Sequence, residues 1–261
     1  MVKITRKTKH ADFIKFLGTA GARFVMIKQL RASGGIWISY RGTNVVIDPG
    51  PGSIVRMATS KPKIDPSLLD GIILTHRHLD HSGDINVMIE AMTEGGFKRH
   101  GVVFCPADSL GEDSVISKHA LGFPESIETL EANKKYKIGN FEFETSMRHI
   151  HPVETYGLKF TLNNKTVSLL CDTRYFNELI DFYKTDILII GVVFAQPRLG
   201  IDHLCLDDVR HIANQIEPKR VIMTHFGMTM LTAKPHVKAE ELSKELGIDV
   251  EAAYDGQVID F

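Results

Sequence analysis

Three continuous aliphatic runs, GIILT (71–75), TVSLLCD (166–172) and RVIMTH (220–225), each deliver a His or Asp at or just after their C-terminal end. Runs this short and this apolar read as strands covered on both faces, because helices need a longer stretch with a 3.6-residue period. Strands buried on both faces belong to layered folds, where loops at the strands' C-terminal edge build the site. The same stretches therefore constrain the fold and point to candidate functional residues.

Further β-type runs are FIKFLG (13–18), GIWISY (35–40), NVVID (44–48), GVVFC (101–105), FEFETSM (141–147), YGLKFTL (156–162) and DILIIG (186–191). Asn163-Asn164 predicts a tight turn joining 156–162 to 166–172 as a hairpin. Helical periodicity falls at 83–96, which stops at Gly-Gly, at 204–218, closed by Pro218, and at 234–247, opened by Pro235 and stopped by Gly247. This rhythm predicts a mixed β-sandwich flanked by helices, in a single domain spanning 1–261. Residues 107–135 carry no clear period and predict a long loop with short helix.

Lys+Arg 31 against Asp+Glu 32 gives a formal net charge of -1, so no basic excess advertises nucleic-acid binding. No run reaches the ~20 apolar residues of a membrane span, and the basic start MVKITRKTKHADFIKF lacks the apolar stretch of a signal peptide. Cys105, Cys171 and Cys205 are isolated, in no C-x-x-C spacing. A cytoplasmic protein with reduced thiols is the expectation.

The segment LTHRHLDHSGD (74–84) crowds His76, His78, Asp80 and His81 directly behind an apolar run. Together with His151, Asp172 and His225 they make seven nitrogen and oxygen donors, the number that two dications sharing one ligand require. His76 and His78 can face one ion while Asp80 and His81 turn to the second. Asp172 is the best-placed bridge, since a carboxylate has one oxygen for each metal. Zinc suits this donor set, and manganese or iron also fits. Two dications lower the pKa of a shared water to near neutrality, so the expected chemistry is hydrolysis by a bridging hydroxide, oriented by Asp80. Asp84, behind Gly83, is expected near the first turn of the following helix, where its charge suits the dipole.

T-H-R-H-L-D-H at 75–81, His151, Asp172 after a strand and His225 in M-T-H-F-G resemble, in order, the motifs of the metallo-β-lactamase superfamily. The resemblance covers residues 13 to 260 and implies an α+β fold, a four-layer αββα sandwich with the metals at one edge of the two sheets. His149 competes with His151; the Gly157 that follows favours His151, as in the family's RNA-processing members. His78 stands where redox-active diiron relatives carry Glu, which favours hydrolysis. Asp48 in IDPGPG (47–52) is expected to support the histidine loop from behind, as similar acids do in the family, while the Gly and Pro residues turn the chain into a helix.

Within the superfamily the chain looks most like the tRNA 3′-end endonuclease and small phosphodiesterase branch. His203 in I-D-H-L resembles that branch's extra histidine, implied to bind a phosphoryl oxygen or protonate the leaving group. D-T-R at 172–174 resembles the endonuclease motif and makes Arg174 a candidate phosphate partner. Only 21 residues separate His151 from Asp172, too few for the family's tRNA-gripping arm, so bulk tRNA is not an expected partner. The expected substrate is a small anionic molecule, a cyclic or nucleotide-like phosphodiester. The alternatives are a lactone or thioester, or a non-enzymatic metal-binding domain. The resemblance also allows a homodimer.

Overall fold

The computed structural model describes residues 12–261. The basic start of the chain, and with it the reading of a missing signal peptide, lies outside those residues. Among the described residues fourteen strands form: β1 (Phe13–Phe16), β2 (Ile36–Tyr40), β3 (Thr43–Ile47), β4 (Gly71–Ile73), β5 (Val102–Cys105), β6 (Ser126–Thr129) and β7 (Lys135–Ile138), then β8 (Phe141–Arg148), β9 (Tyr156–Leu162), β10 (Lys165–Leu170), β11 (Ile187–Gly191), β12 (Arg220–Thr224), β13 (Asp249–Ala252) and β14 (Val258–Asp260). They make two seven-stranded sheets, ordered β14-β1-β2-β3-β4-β5-β6 and β13-β12-β11-β10-β9-β8-β7.

The aliphatic runs are explained by the period of two along a strand. In β11, Ile187 and Ile189 point into the core between the sheets, where Phe16, Phe141, Phe160 and Ile222 also lie. Leu188 and Ile190 point the other way, under α5 (Leu179–Tyr183), α6 (Leu206–Ile216) and α8 (Pro235–Leu246). On the first sheet, Val46, Ile72 and Val103 face outward against Met57 of α2 (Ser53–Thr59) and Met88, Ile89 and Met92 of α4 (Ile85–Met92). Three apolar layers thus separate four layers of structure, the αββα sandwich expected from the sequence.

The β9–β10 hairpin turns at Asn163 and Asn164, both with positive φ (45° and 65°), as a type I′ connection requires. Asp84 stands at the N-cap of α4, but its carboxylate accepts from the N–H groups of Gly52 (3.1 Å) and Ile54 (3.0 Å). It therefore caps the start of α2 rather than its own helix.

Residues 107–135 depart from the expected loop. The stretch holds short 3-10 turns, but it also contains β6 and ends at the first residue of β7. Both are four-residue edge strands, one closing each sheet. Strand β7 buries only Tyr136 and Ile138, and β6 leaves Glu128 and Thr129 exposed. Short, charged edge strands are how sheets end without aggregating, and such strands lack the aliphatic run that marks a central strand. Strands β13 and β14 also lie outside the expected set. Strand β14 brings the C-terminal segment across to pair with β1 in the first sheet, Ile259 opposite Ile14.

All three cysteines are buried and unpaired. Burial, reinforced by the Asp108 carboxylate, pushes the Cys105 thiol up to about 12; burial also raises Cys205 to about 11 and Cys171 well above the usual thiol range. Thiolate is the reactive form. Titration with a chromogenic disulfide at neutral pH is expected to detect no thiol in the folded protein and three in denaturant.

Candidate metal centre

Strand β4 runs out through Leu74 into Thr75 and His76, and β3 ends beside it at Asp48. Asp48 has a left-handed backbone (φ 52°), which turns its carboxylate back onto the next loop. It accepts from the Thr75 N–H (2.7 Å), the Thr75 hydroxyl (2.7 Å) and the His81 Nδ1–H (3.0 Å). Two sequence-distant segments are thereby locked, and the His81 ring is left with Nε2 facing inward. This is the supporting role expected of Asp48. Arg77 fastens the same loop from outside, reaching Asp108 (3.2 Å) and Asp113 (3.2 Å).

The seven candidate donors converge at the edge of the two sheets and divide into two groups. His76, His78, His151 and Asp172 form one; Asp80, His81 and His225 form the other, with the donor atoms of each group within 4.8 Å of one another. Asp172 lies between them. Its Oδ2 is 3.6 Å from His76 Nε2, 4.0 Å from His151 Nε2 and 3.6 Å from His81 Nε2, and its Oδ1 is 3.2 Å from His225 Nδ1. That placement is what a bridging carboxylate needs.

Proton bookkeeping shows that the cluster fits cations. His151 donates Nδ1–H to the Asp202 carbonyl (3.1 Å), which turns its Nε2 to His78 Nδ1 at 3.0 Å. His81 donates Nδ1–H to Asp48, which turns its Nε2 to His225 Nε2 at 3.0 Å. His76 Nε2, His203 Nδ1 and His225 Nδ1 are buried without a hydrogen-bond partner among the described residues. Buried polar atoms in native proteins are satisfied, and metal ligation would satisfy the His76 and His225 nitrogens.

Electrostatics supports the same fit. Burial, then the neighbouring His81, holds His76 well below the usual imidazole range; burial, then His151, brings His78 down to about 4. Both rings therefore keep their lone pairs at neutral pH. Burial works against ionisation of Asp172, yet the His225 and His203 rings hold it well below the ordinary carboxylate value. Burial likewise opposes a charge on His81, yet Asp80 and Asp48 lift its pKa well above the ordinary value. A dication would replace that proton as the partner of the anionic donors.

His149 is not part of either group. It sits behind Asp172, donating Nδ1–H to the Asp172 carbonyl (3.1 Å) and accepting from the Tyr183 hydroxyl (2.7 Å). Gly157 explains itself here: a Cβ at that position would lie 1.7 Å from the Tyr183 oxygen. Close approach also fixes Gly21, whose Cβ would meet the His225 carbonyl oxygen at 2.2 Å. Sequence reading missed the His149–Tyr183 support because no spacing links residues 34 positions apart.

His203 joins the cluster from the loop before α6, its Nδ1 3.7 Å from Asp172 Oδ2. Arg174 does not enter the cavity above the cluster; it is exposed, with its guanidinium 3.9 Å from Asp202. The arginines lining that cavity are Arg23 and Arg198. Between His151 and Asp172 the regular structure consists of the β9–β10 hairpin.

An αββα sandwich with two His/Asp groups at one sheet edge defines a protein of metallo-β-lactamase type. Residues 43–226 match the Beta-lactamase superfamily domain, and the chain belongs to that superfamily. It is 30% identical over 248 residues to the uncharacterized protein MJ1374 of Methanocaldococcus jannaschii, covering 91% of this chain and 90% of that one. The fold is similar to that of the metallo-beta-lactamase fold protein YhfI from Bacillus subtilis, with a TM-score of 0.78 at 21% identity, covering 96% of this chain and 100% of the other. It is also similar to a diphosphatase from the PhnP family, with a TM-score of 0.70 at 20% identity over 96% and 97% of the two chains.

Asp48→Asn keeps the shape but removes the acceptor that aims His81. Competition with a chromogenic chelator is expected to show metal affinity lowered about 10- to 100-fold, the usual scale for a lost ligand-orienting partner.

Proposed function

We propose that this chain is a dinuclear metal-dependent hydrolase of a small anionic phosphodiester, acting in a reduced, cytoplasmic setting. Superfamily membership and the seven-donor cluster support the hydrolase class. The observation that carries the substrate reading is His203, an imidazole beside the bridging carboxylate that also lines the open cavity. A thioester, whose thiolate leaves without a proton, would not require it. The likeness to a PhnP-family diphosphatase is in keeping with a phosphorus–oxygen bond as the target.

His76, His78 and His151 would hold one ion, Asp80, His81 and His225 the other, and Asp172 both. Zinc is the metal these nitrogen and oxygen donors suit best, with manganese and iron as substitutes. When bound, the two ions acidify water and draw charge from the phosphoryl oxygen. With two carboxylates among the ligands the site keeps a positive charge, which draws in an anion. Asp80 accepts a hydrogen bond from the attacking water and aims it at phosphorus. As the new P–O bond forms, the bond to the leaving alcohol breaks; the attacking water gives one proton up to solvent, and protonated His203 supplies the one taken by the leaving oxygen. Bulk tRNA is not the proposed substrate, since only a hairpin separates His151 from Asp172.

The test is a parallel panel of bis-aryl phosphodiester, cyclic nucleotides, lactone and thioester with the zinc-loaded protein. The diester is expected to be cleaved with the highest kcat/KM. Cleavage of lactone or thioester with the diester untouched would overturn the reading.

A further inference from the structure

The metal groups lie at the floor of a cavity of about 740 Å³ whose lining includes His78, Asp80, Asp172 and His203. Its walls are of a different character. Phe24 and Ile27 of α1 (Ala22–Ile27), Leu79, Phe194, Ile201 and Met228 line it. Helix α1 turns Val25 and Met26 inward, and leaves Phe24 61% and Ile27 66% exposed; Leu79, beside the metal loop, is 63% exposed. Large apolar side chains gathered at this exposure around one opening mark a surface built to be covered.

Polar groups in the walls are few. Apart from the cluster and His203, the polar side chains of the lining are Arg23, Arg198 and Thr229, and the Thr229 hydroxyl already accepts from the Ala195 N–H (3.2 Å). The Arg198 guanidinium lies 5.5 Å from the Phe194 ring centroid, over the apolar wall. A site that selects a nucleobase offers donors and acceptors matched to its edge. Two arginines above an apolar wall instead match a molecule with one anionic end and one greasy end.

We propose that this cavity is an amphiphilic subsite, taking a phosphodiester that bears a bulky apolar group in preference to a nucleotide. The inference rests on the phosphodiesterase reading for its anion, while the apolar wall stands on its own geometry. Arg23 and Arg198 attract the phosphate, His203 and the metal groups receive it, and the apolar substituent lies along Phe24, Ile27 and Leu79. The earlier expectation of a nucleotide-like substrate gives way to this one on the character of the walls.

The experiment has a binding arm and a turnover arm on zinc-loaded protein. Calorimetry compares methyl octyl phosphate, dimethyl phosphate and thymidine 5′-methyl phosphate. Turnover compares the octyl, methyl and thymidine diesters of p-nitrophenol, which share one leaving group. The octyl compound is expected to lead the methyl one by about tenfold or more in both arms, the scale set by methylenes entering an apolar pocket. Thymidine should not exceed methyl. In a Phe24→Ala/Ile27→Ala double variant the octyl-to-methyl ratio should fall towards unity; Phe97→Ala, on an exposed residue outside the cavity, should leave it unchanged. A flat series, or thymidine in the lead, overturns the inference even if diesters are cleaved. Octyl-selective binding with no diester cleaved sinks the phosphodiesterase reading and leaves the apolar subsite standing.

Discussion

Replacing Asp172 with alanine is expected to lower turnover about a thousandfold or more and to reduce bound metal below two ions per chain. The carboxylate stands between the two donor groups, with His76, His81, His151, His203 and His225 all within 4.0 Å of its oxygens. Without it both groups lose an anionic ligand, and five imidazoles lose the carboxylate they share. Losing several kcal/mol of charge stabilisation corresponds to that thousandfold scale. Steady-state kinetics and metal analysis of the purified variant, with circular dichroism to verify folding, decide it. Retained metal and retained turnover would remove Asp172 from the centre of the account.

The second large effect is expected at His203. Its ring approaches Asp172 but belongs to neither donor group, so His203→Ala should leave metal content unchanged. Loss of a proton donor typically costs 10²- to 10⁴-fold. The kcat for a diester with a poor alkoxide leaving group should therefore fall by about that range. A diester of p-nitrophenol, whose leaving oxygen needs no proton, should suffer much less. An equal loss on both substrates would assign His203 to phosphoryl binding instead of proton donation. Unchanged kinetics on both would discard it altogether.

The central strands and the donor cluster were legible in the chain for one shared reason. GIILT, TVSLLCD and RVIMTH are apolar because both faces of their strands are covered, and they end at the sheet edge where their polar successors converge. Strands β6 and β7 were not legible, since four residues are too few for alternation to stand out: β7 alternates over only Tyr136 and Ile138, and β6 buries no residue fully. The supports behind the cluster were only partly legible. Asp48 follows an aliphatic run and stood out, whereas His149, Tyr183 and Arg77 act through contacts 23 to 36 residues away that no spacing announces. Arg174 illustrates the opposite failure. Its motif D-T-R places it next to Asp172 in sequence, yet the chain turns its guanidinium to Asp202, away from the cavity lining.

The claim on which everything else depends is a two-ion site built from seven side chains. Elemental analysis of protein purified without added chelator and loaded with zinc measures it directly. About two ions per chain in the wild type, falling with substitution of residues from either group, is the predicted result. Fewer than about one ion per chain, or a count indifferent to His76, Asp172 and His225, would contradict the account.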